Sequence, residues 1–272
     1  MKSAFYLLSL SLLISALNPR SIAQSANPQP SFEAAPVVVE LFTSEGCSSC
    51  PPADALLAKM ETAQPFKGVQ IIAIEEHVDY WDQQGWVDPF SSNEWTLRQQ
   101  VYASVFRHDG PYTPQMVVNG RSGFVGSRAD EAIKAVQASS ATPSAPVTMS
   151  ATDGGNPNEP RFAVSVGKLP PLSAGDSAEV WLAITESGLA SQVSRGENAG
   201  RNLSHASVLR SLRRVGNADS HADGNSFHGD AYLKLKSAWK RENLTAVVII
   251  QEKKSRRILG AASLKLASSG RA

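Results

Sequence analysis

The chain's two cysteines, Cys47 and Cys50, are separated by Ser48 and Ser49 and followed by Pro51 and Pro52. A thiol at the first turn of a helix meets unpaired backbone N–H groups and the positive end of the dipole, which favour thiolate over thiol. Cys47 is the expected nucleophile. One helical turn brings the second sulfur within bonding reach, so Cys50 is expected to attack a mixed disulfide on Cys47 and release the product. Two other chemistries stay open. Two thiols with His77 or His108 would suit Cu(I), whereas zinc normally asks for four ligands and there is no second CxxC. A non-catalytic binding module could instead keep the pair as a permanent disulfide. Two cysteines are too few to replace a hydrophobic core.

The flanking pattern supplies elements to hold this turn. Val37–Thr43 is a β-branched run suited to a strand buried on both faces. Ala53, Leu56, Leu57 and Met60 fall at i, i+3, i+4 and i+7, one stripe of a helix. A second strand is expected at Val69–Ile74. Ser91 with Glu94 reads as a capping box ahead of a helix carrying Leu97, Val101 and Val105. Asn119-Gly120 sits between Met116–Val118 and Gly123–Val125, a hairpin signal, and Ser127 with Asp130 opens a last helix through Ile133 and Val136. The order is β–α–β–α–β–β–α. Beyond it, strands are expected at 147–151, 161–166, 179–185, 208–215, 232–236, 244–251 and 258–266, with little helix between them. This predicts an α/β N-terminal domain over 37–139, a Ser/Pro/Ala linker over 140–146, and an all-β, sandwich-like domain over 147–267.

Strand, CxxC, helix and strand, with Tyr112-Thr113-Pro114 ahead of the hairpin, resemble the thioredoxin-like superfamily over Val37–Ser139. More narrowly, Glu40–Asp54, Glu76–Asp82, Tyr112–Gln115 and Gly196-Glu197-Asn198 with Gly200-Arg201 are similar to a secreted bacterial family labelled domain of unknown function 1223. The superfamily resemblance implies a cis proline at Pro114 facing the two sulfurs, with Tyr112 and Thr113 beside it in a substrate groove. It also implies a buried first-strand acid that moves protons at the resolving cysteine. Glu40 is the nearest candidate, one residue farther from the first cysteine than in thioredoxin. Gly46 and the Ser48-Ser49 dipeptide depart from thioredoxin, so a reductase is not implied.

In that topology the stretch Glu75–Asp82 opens at the same sheet edge as Cys47, and function should concentrate there. His77 with Asp79 could ligate a metal, relay protons or simply anchor the loop. Trp81, Trp86, Phe90 and Trp95 could form an apolar wall for a peptide, Trp81 foremost, or a packed insertion. Glu45 is expected to be solvated and to oppose thiolate formation. Glu197, Asn198 and Arg201 lie in a Gly-punctuated loop able to dock on the first domain. His108, six positions before Pro114, could meet the sulfurs, but reads by default as a surface residue after a helix.

With 26 Lys+Arg against 25 Asp+Glu, a polyanion-binding surface over the whole molecule is excluded, and no nucleic-acid partner is expected. A content of 42% apolar and 19% charged residues suffices for a core. Lys2, the apolar run Ala4–Leu17 and Ser21-Ile22-Ala23 read as a signal peptide over 1–23, followed by a flexible leader over 24–36. The run is too short for a retained anchor. The expectation is a periplasmic or secreted protein, without stable membrane insertion, exchanging thiols with a protein substrate and using no cofactor unless the copper alternative holds.

Overall fold

The computed structural model describes Met1, residues 34–153 and residues 155–266; the expected signal peptide and nearly all of the leader lie outside them. The order of the first half is β1 (Ala35–Thr43), α1 (Pro51–Ala63), β2 (Val69–His77), α2 (Asn93–Phe106), β3 (Gln115–Val118), β4 (Ser122–Val125) and α3 (Ala129–Ser140). The second half holds β5 (Val147–Thr152), β6 (Arg161–Val166), β7 (Ala178–Glu186), β8 (Leu189–Gln192), β9 (Asn202–His205), β10 (Val208–Ala218), β11 (Phe227–Tyr232), β12 (Leu244–Glu252) and β13 (Ile258–Lys265).

One mixed sheet runs through both halves in the order β13-β12-β7-β10-β2-β1-β3-β4. β1 and β2 are parallel, and β3 and β4 continue antiparallel beyond β1. The residues 141–146 therefore link two parts of one sheet, and the described residues from Ala34 to Leu266 belong to one compact unit. The seam is narrow: β10 meets β2 through the single register pair Val208 and Glu75, with the Glu75 N–H donating to the Ser207 carbonyl at 2.9 Å. A three-stranded sheet, β11-β6-β5, packs Phe162, Val164 and Val166 against Val180, Leu182, Val248 and Ile250 of the large sheet. On the same large sheet, α1 and α3 cover Val37, Val39, Leu41 and Met116. The tight turn at Asn119-Gly120, both at positive φ, abuts the β12–β13 turn so closely that a side chain on Gly120 would collide with the Arg256 carbonyl.

Several local expectations change. The N-cap of α2 is Ser92, whose Oγ accepts from Glu94 N–H, while Ser91 donates to Asp82. Arg128 stands at the N-cap of α3 and no side chain caps it, so Ser127 does not serve. The strand expected at 232–236 lies at 227–232, where Gly229 and Asp230 disguised it; Leu233 and Leu235 are buried in irregular chain instead.

α2 also turns the opposite way from its apolar stripe. Leu97 and Val101 are 53% and 44% exposed, whereas Arg98, Gln99 and Tyr102 face the sheet. The reason is Glu40, buried mid-strand among apolar neighbours on the face away from α1. Its carboxylate accepts from the Arg98 guanidinium and, at 2.5 Å, from the Tyr102 hydroxyl, and Gln251 joins through Tyr102 Oη at 2.8 Å. A buried carboxylate without such donors would cost far more than exposing two aliphatic side chains. Arg98→Met is accordingly expected to destabilise the fold by about 3–5 kcal/mol in urea unfolding, and Tyr102→Phe by about 1–3 kcal/mol. A loss below about 1 kcal/mol for Arg98→Met would contradict this account of why α2 is inverted.

Candidate functional site

Cys47 and Cys50 form a disulfide with Cα atoms 5.4 Å apart, at the turn from β1 into α1. Cys50 is the N-cap of α1, and Pro51 and Pro52 occupy first-turn positions that need no N–H partner. Cys47, the expected nucleophile, is not open to solvent: both cysteines are 0% exposed, and only Ser48 and Ser49 of the motif face out. The cover comes from the hairpin β8–β9 and its loop. Asn198, fully buried, donates to the carbonyls of Glu45 and Cys47, both at 2.9 Å, and Glu197 accepts from Ser48 N–H at 3.0 Å. The docking ability read in this loop is thus realised, with Asn198 at its centre.

The rest of the predicted groove adjoins the motif on its other side. Trp81 packs its Cβ against Gly46 and donates its indole N–H to Thr113 Oγ1 at 2.8 Å. The Thr113–Pro114 peptide is cis, and Pro114, buried, lies beside Gly126, as does Ala53 of α1. Tyr112 is half-buried, and its carbonyl accepts from Gln99. Glu40 is the predicted site residue that does not arrive. Strand alternation puts it on the α2 face with Phe42, while Val39, Leu41 and Thr43 face α1. The acid next to the motif on α1 is Asp54, one turn after Cys50. Buried and accepting from Thr43 Oγ1 at 2.6 Å, its carboxyl is pushed up to about 7 by burial and by the charge of Glu75.

Beneath the motif lies a chain of buried ionisable groups. Glu45, expected in solvent, is fully buried because the loop after β2 folds over it: Trp86 Nε1 donates to its Oε2 at 2.8 Å, and His205 Nε2 lies 3.0 Å from its Oε1. His205 Nδ1 is 2.8 Å from Glu75 Oε1, and Ala206 N–H donates to Glu75 Oε2 at 2.9 Å. His77 does not pair with Asp79, which binds Thr96; it lies with Asp88, Nδ1 to Oδ2 at 2.7 Å. Burial works against charge on both imidazoles, yet Asp88 and Glu75 hold His77 well above its ordinary value. Hydrogen bonds to Glu45 and Glu75 hold His205 at about 9. Burial likewise opposes charge on Glu75, but its hydrogen bond to His205 and the nearby charge of His77 keep its carboxyl below the usual range; His77 does the same for Asp88.

The copper set of Cys47, Cys50 and His77 is not assembled in this state, because the sulfurs are bonded to each other and His77 turns to Asp88. Among the described residues, the group offering three possible metal-ligand atoms, all within 4.8 Å of one another, is Glu75, His77 and His205. His108 keeps to Phe106 and Tyr112. Sequence reasoning missed His205, Asp88 and Asp54. A signal existed for His205: in Asn202-Leu203-Ser204-His205 the two-residue period puts it on the buried side with Leu203.

The chain belongs to the family described as Protein of unknown function (DUF1223), whose model matches residues 38–251. No protein with a curated description matches it. Among solved structures it is similar to protein AGR_C_4864 of Agrobacterium tumefaciens, at 27% identity over 88% of this chain and 98% of that one, with a TM-score of 0.64. It also shares a fold with HBP35 of Porphyromonas gingivalis, at 18% identity over 88% of this chain and 77% of that one, with a TM-score of 0.61. Among the described residues no helix is long and apolar enough to cross a membrane.

The sign of the Asp54 shift sets a test. A carboxyl at about 7 when folded and near 3.8 when unfolded binds its proton more tightly in the folded state, so its contribution to stability falls as pH rises from 3.8 to 7. Asp54→Asn is expected to exceed the parent by at least about 1 kcal/mol in urea unfolding at pH 8, with the gain largely lost at pH 4. Equal differences at both pH values would show that Asp54 titrates normally.

Proposed function

We propose that this chain is a thioredoxin-like, extracytoplasmic protein that exchanges thiols and disulfides with a protein substrate through Cys47 and Cys50. The observation that carries this reading is the disulfide at the N-terminus of α1, joined by Trp81 to the Tyr112–Pro114 segment. The parallel β1–β2 pair with antiparallel β3 and β4 supports the superfamily, and the leader read from the sequence supports an oxidising compartment.

In the exchange a substrate thiolate attacks Cys47 Sγ, the Cys47–Cys50 bond breaks, and Cys50 leaves as thiolate. A second substrate thiolate then attacks the substrate sulfur of the mixed disulfide and expels Cys47. The substrate gives up two electrons and becomes a disulfide; the pair gains them as two thiols, and the reverse sequence reduces a substrate. Asp54, one helical turn from Cys50 and titrating near neutrality, holds the proton that Cys50 takes up or gives back. Pro114, Thr113, Tyr112 and Trp81 form the wall along which the substrate lies. The loop bearing Glu197 and Asn198 must first lift away.

Complete burial of both cysteines favours a second reading, a structural clasp that fastens β1 to α1. Equilibration with glutathione separates the two. An exchanging pair has a reduction potential above about −300 mV and traps a mixed disulfide on Cys47 when Cys50 is replaced by Ser; a clasp lies below that value and traps none. Asn198→Ala, which removes two donors from buried carbonyls, is expected to speed reduction of the native protein at least about tenfold if loop opening controls access. An unchanged rate would remove the loop from the account.

A further inference from the structure

From the same buried cluster, and independently of any thiol chemistry, we infer that Glu75, His77 and His205 bind a divalent transition-metal ion, zinc by their ligand chemistry. Each histidine has one ring nitrogen engaged by a carboxylate that is not itself a ligand: His77 Nδ1 by Asp88 at 2.7 Å and His205 Nε2 by Glu45 at 3.0 Å. A carboxylate on the other ring nitrogen in this way sets the orientation of the imidazole and aims the remaining nitrogen, as it does for histidines at zinc sites. Both remaining nitrogens point at one atom, Glu75 Oε1, His205 Nδ1 at 2.8 Å and His77 Nε2 at 3.4 Å.

His77 Nε2 is fully buried and makes no well-formed hydrogen bond, its nearest acceptor being Glu75 Oε1 at 3.4 Å, an unusual state for a polar atom in a protein interior. Tetrahedral zinc with bonds of about 2.0–2.1 Å spaces its ligand atoms about 3.3 Å apart, so the His77 spacing already fits and the His205 spacing needs to open by about half an ångström. Three buried carboxylates, Glu45, Glu75 and Asp88, supply negative charge that a dication neutralises. Phe90 stands edge-on to both imidazoles, with ring centroids at 5.4 and 5.6 Å, and closes the site on one side. An ion held here would bind β2 to β9 and so tie the hairpin that covers the disulfide to the central sheet.

The test uses the full chain, purified, stripped with a chelator, and then given zinc or cobalt alone, both by titrating the native protein and by refolding with metal present. About one equivalent should bind, and the cobalt form should show visible bands without sulfur-to-cobalt charge transfer. X-ray absorption of the zinc form should show two imidazoles. His77→Gln and His205→Gln should each weaken binding at least about 100-fold, and Asp88→Asn about 10–100-fold through the orientation it gives His77. Replacing both cysteines by Ser should leave the stoichiometry unchanged. Less than about 0.1 equivalent bound by both routes overturns the inference. So does sulfur ligation, or unchanged affinity in a folded histidine variant. Should the histidine variants not fold, the ligand count in the unmodified protein decides.

Discussion

The Glu75 carboxylate is the constraint on which both halves of the molecule depend. It is fully buried at the one register pair joining β2 to β10, and each oxygen is engaged, one facing the His205 imidazole and the other accepting from Ala206 N–H. A buried carboxylate stripped of its partners costs several kcal/mol, more than a typical single packing contact. The segment His205–Ser207 is therefore drawn onto the end of β2, and Ser207 adds a bond to Glu61 on α1. Through His205 the same carboxylate reaches Glu45, two residues before Cys47.

This seam explains why the disulfide is enclosed. A CxxC turn at the exposed edge of a short sheet would keep one sulfur at the surface; here the sheet continues past that edge, and the hairpin leading into β10 crosses over the motif. Asn198 then satisfies the carbonyls on either side of Gly46. The bonds that close the site run between segments about 150 residues apart, so opening the loop and loosening the seam are coupled through His205. Elements of low local stability are the ones that ligand-gated motions draw on, and the exposed stretch Ser194–Glu197 lies at the rim of this cover.

Much of the architecture was legible locally. The β-branched run of β1, the stripe on α1 and the Asn-Gly turn each carry their own signal, and strand boundaries such as Arg161–Val166 were read to the residue. What was not legible depends on partners distant in sequence. Nothing near Glu40 says that Arg98 and Tyr102 will rotate α2 to meet it, and nothing near Ser139–Pro146 says that Val208 will pair beside Glu75 instead of starting a separate body. Glu45 looks like a surface residue because its partners, Trp86 and His205, lie 41 and 160 positions away. The CxxC was plain in the sequence, but its burial belongs to a loop that follows it by about 150 residues.

That this enclosed disulfide opens locally and reacts is tested by its reduction kinetics. The measurement is the rate at which native protein gains two thiols as dithiothreitol is raised, set beside the global unfolding rate in the same buffer. A rate that climbs to a plateau well above global unfolding is the predicted result, since local loop opening then limits access. Reduction only at the pace of global unfolding would contradict it and leave Cys47 and Cys50 as a fastening of the fold.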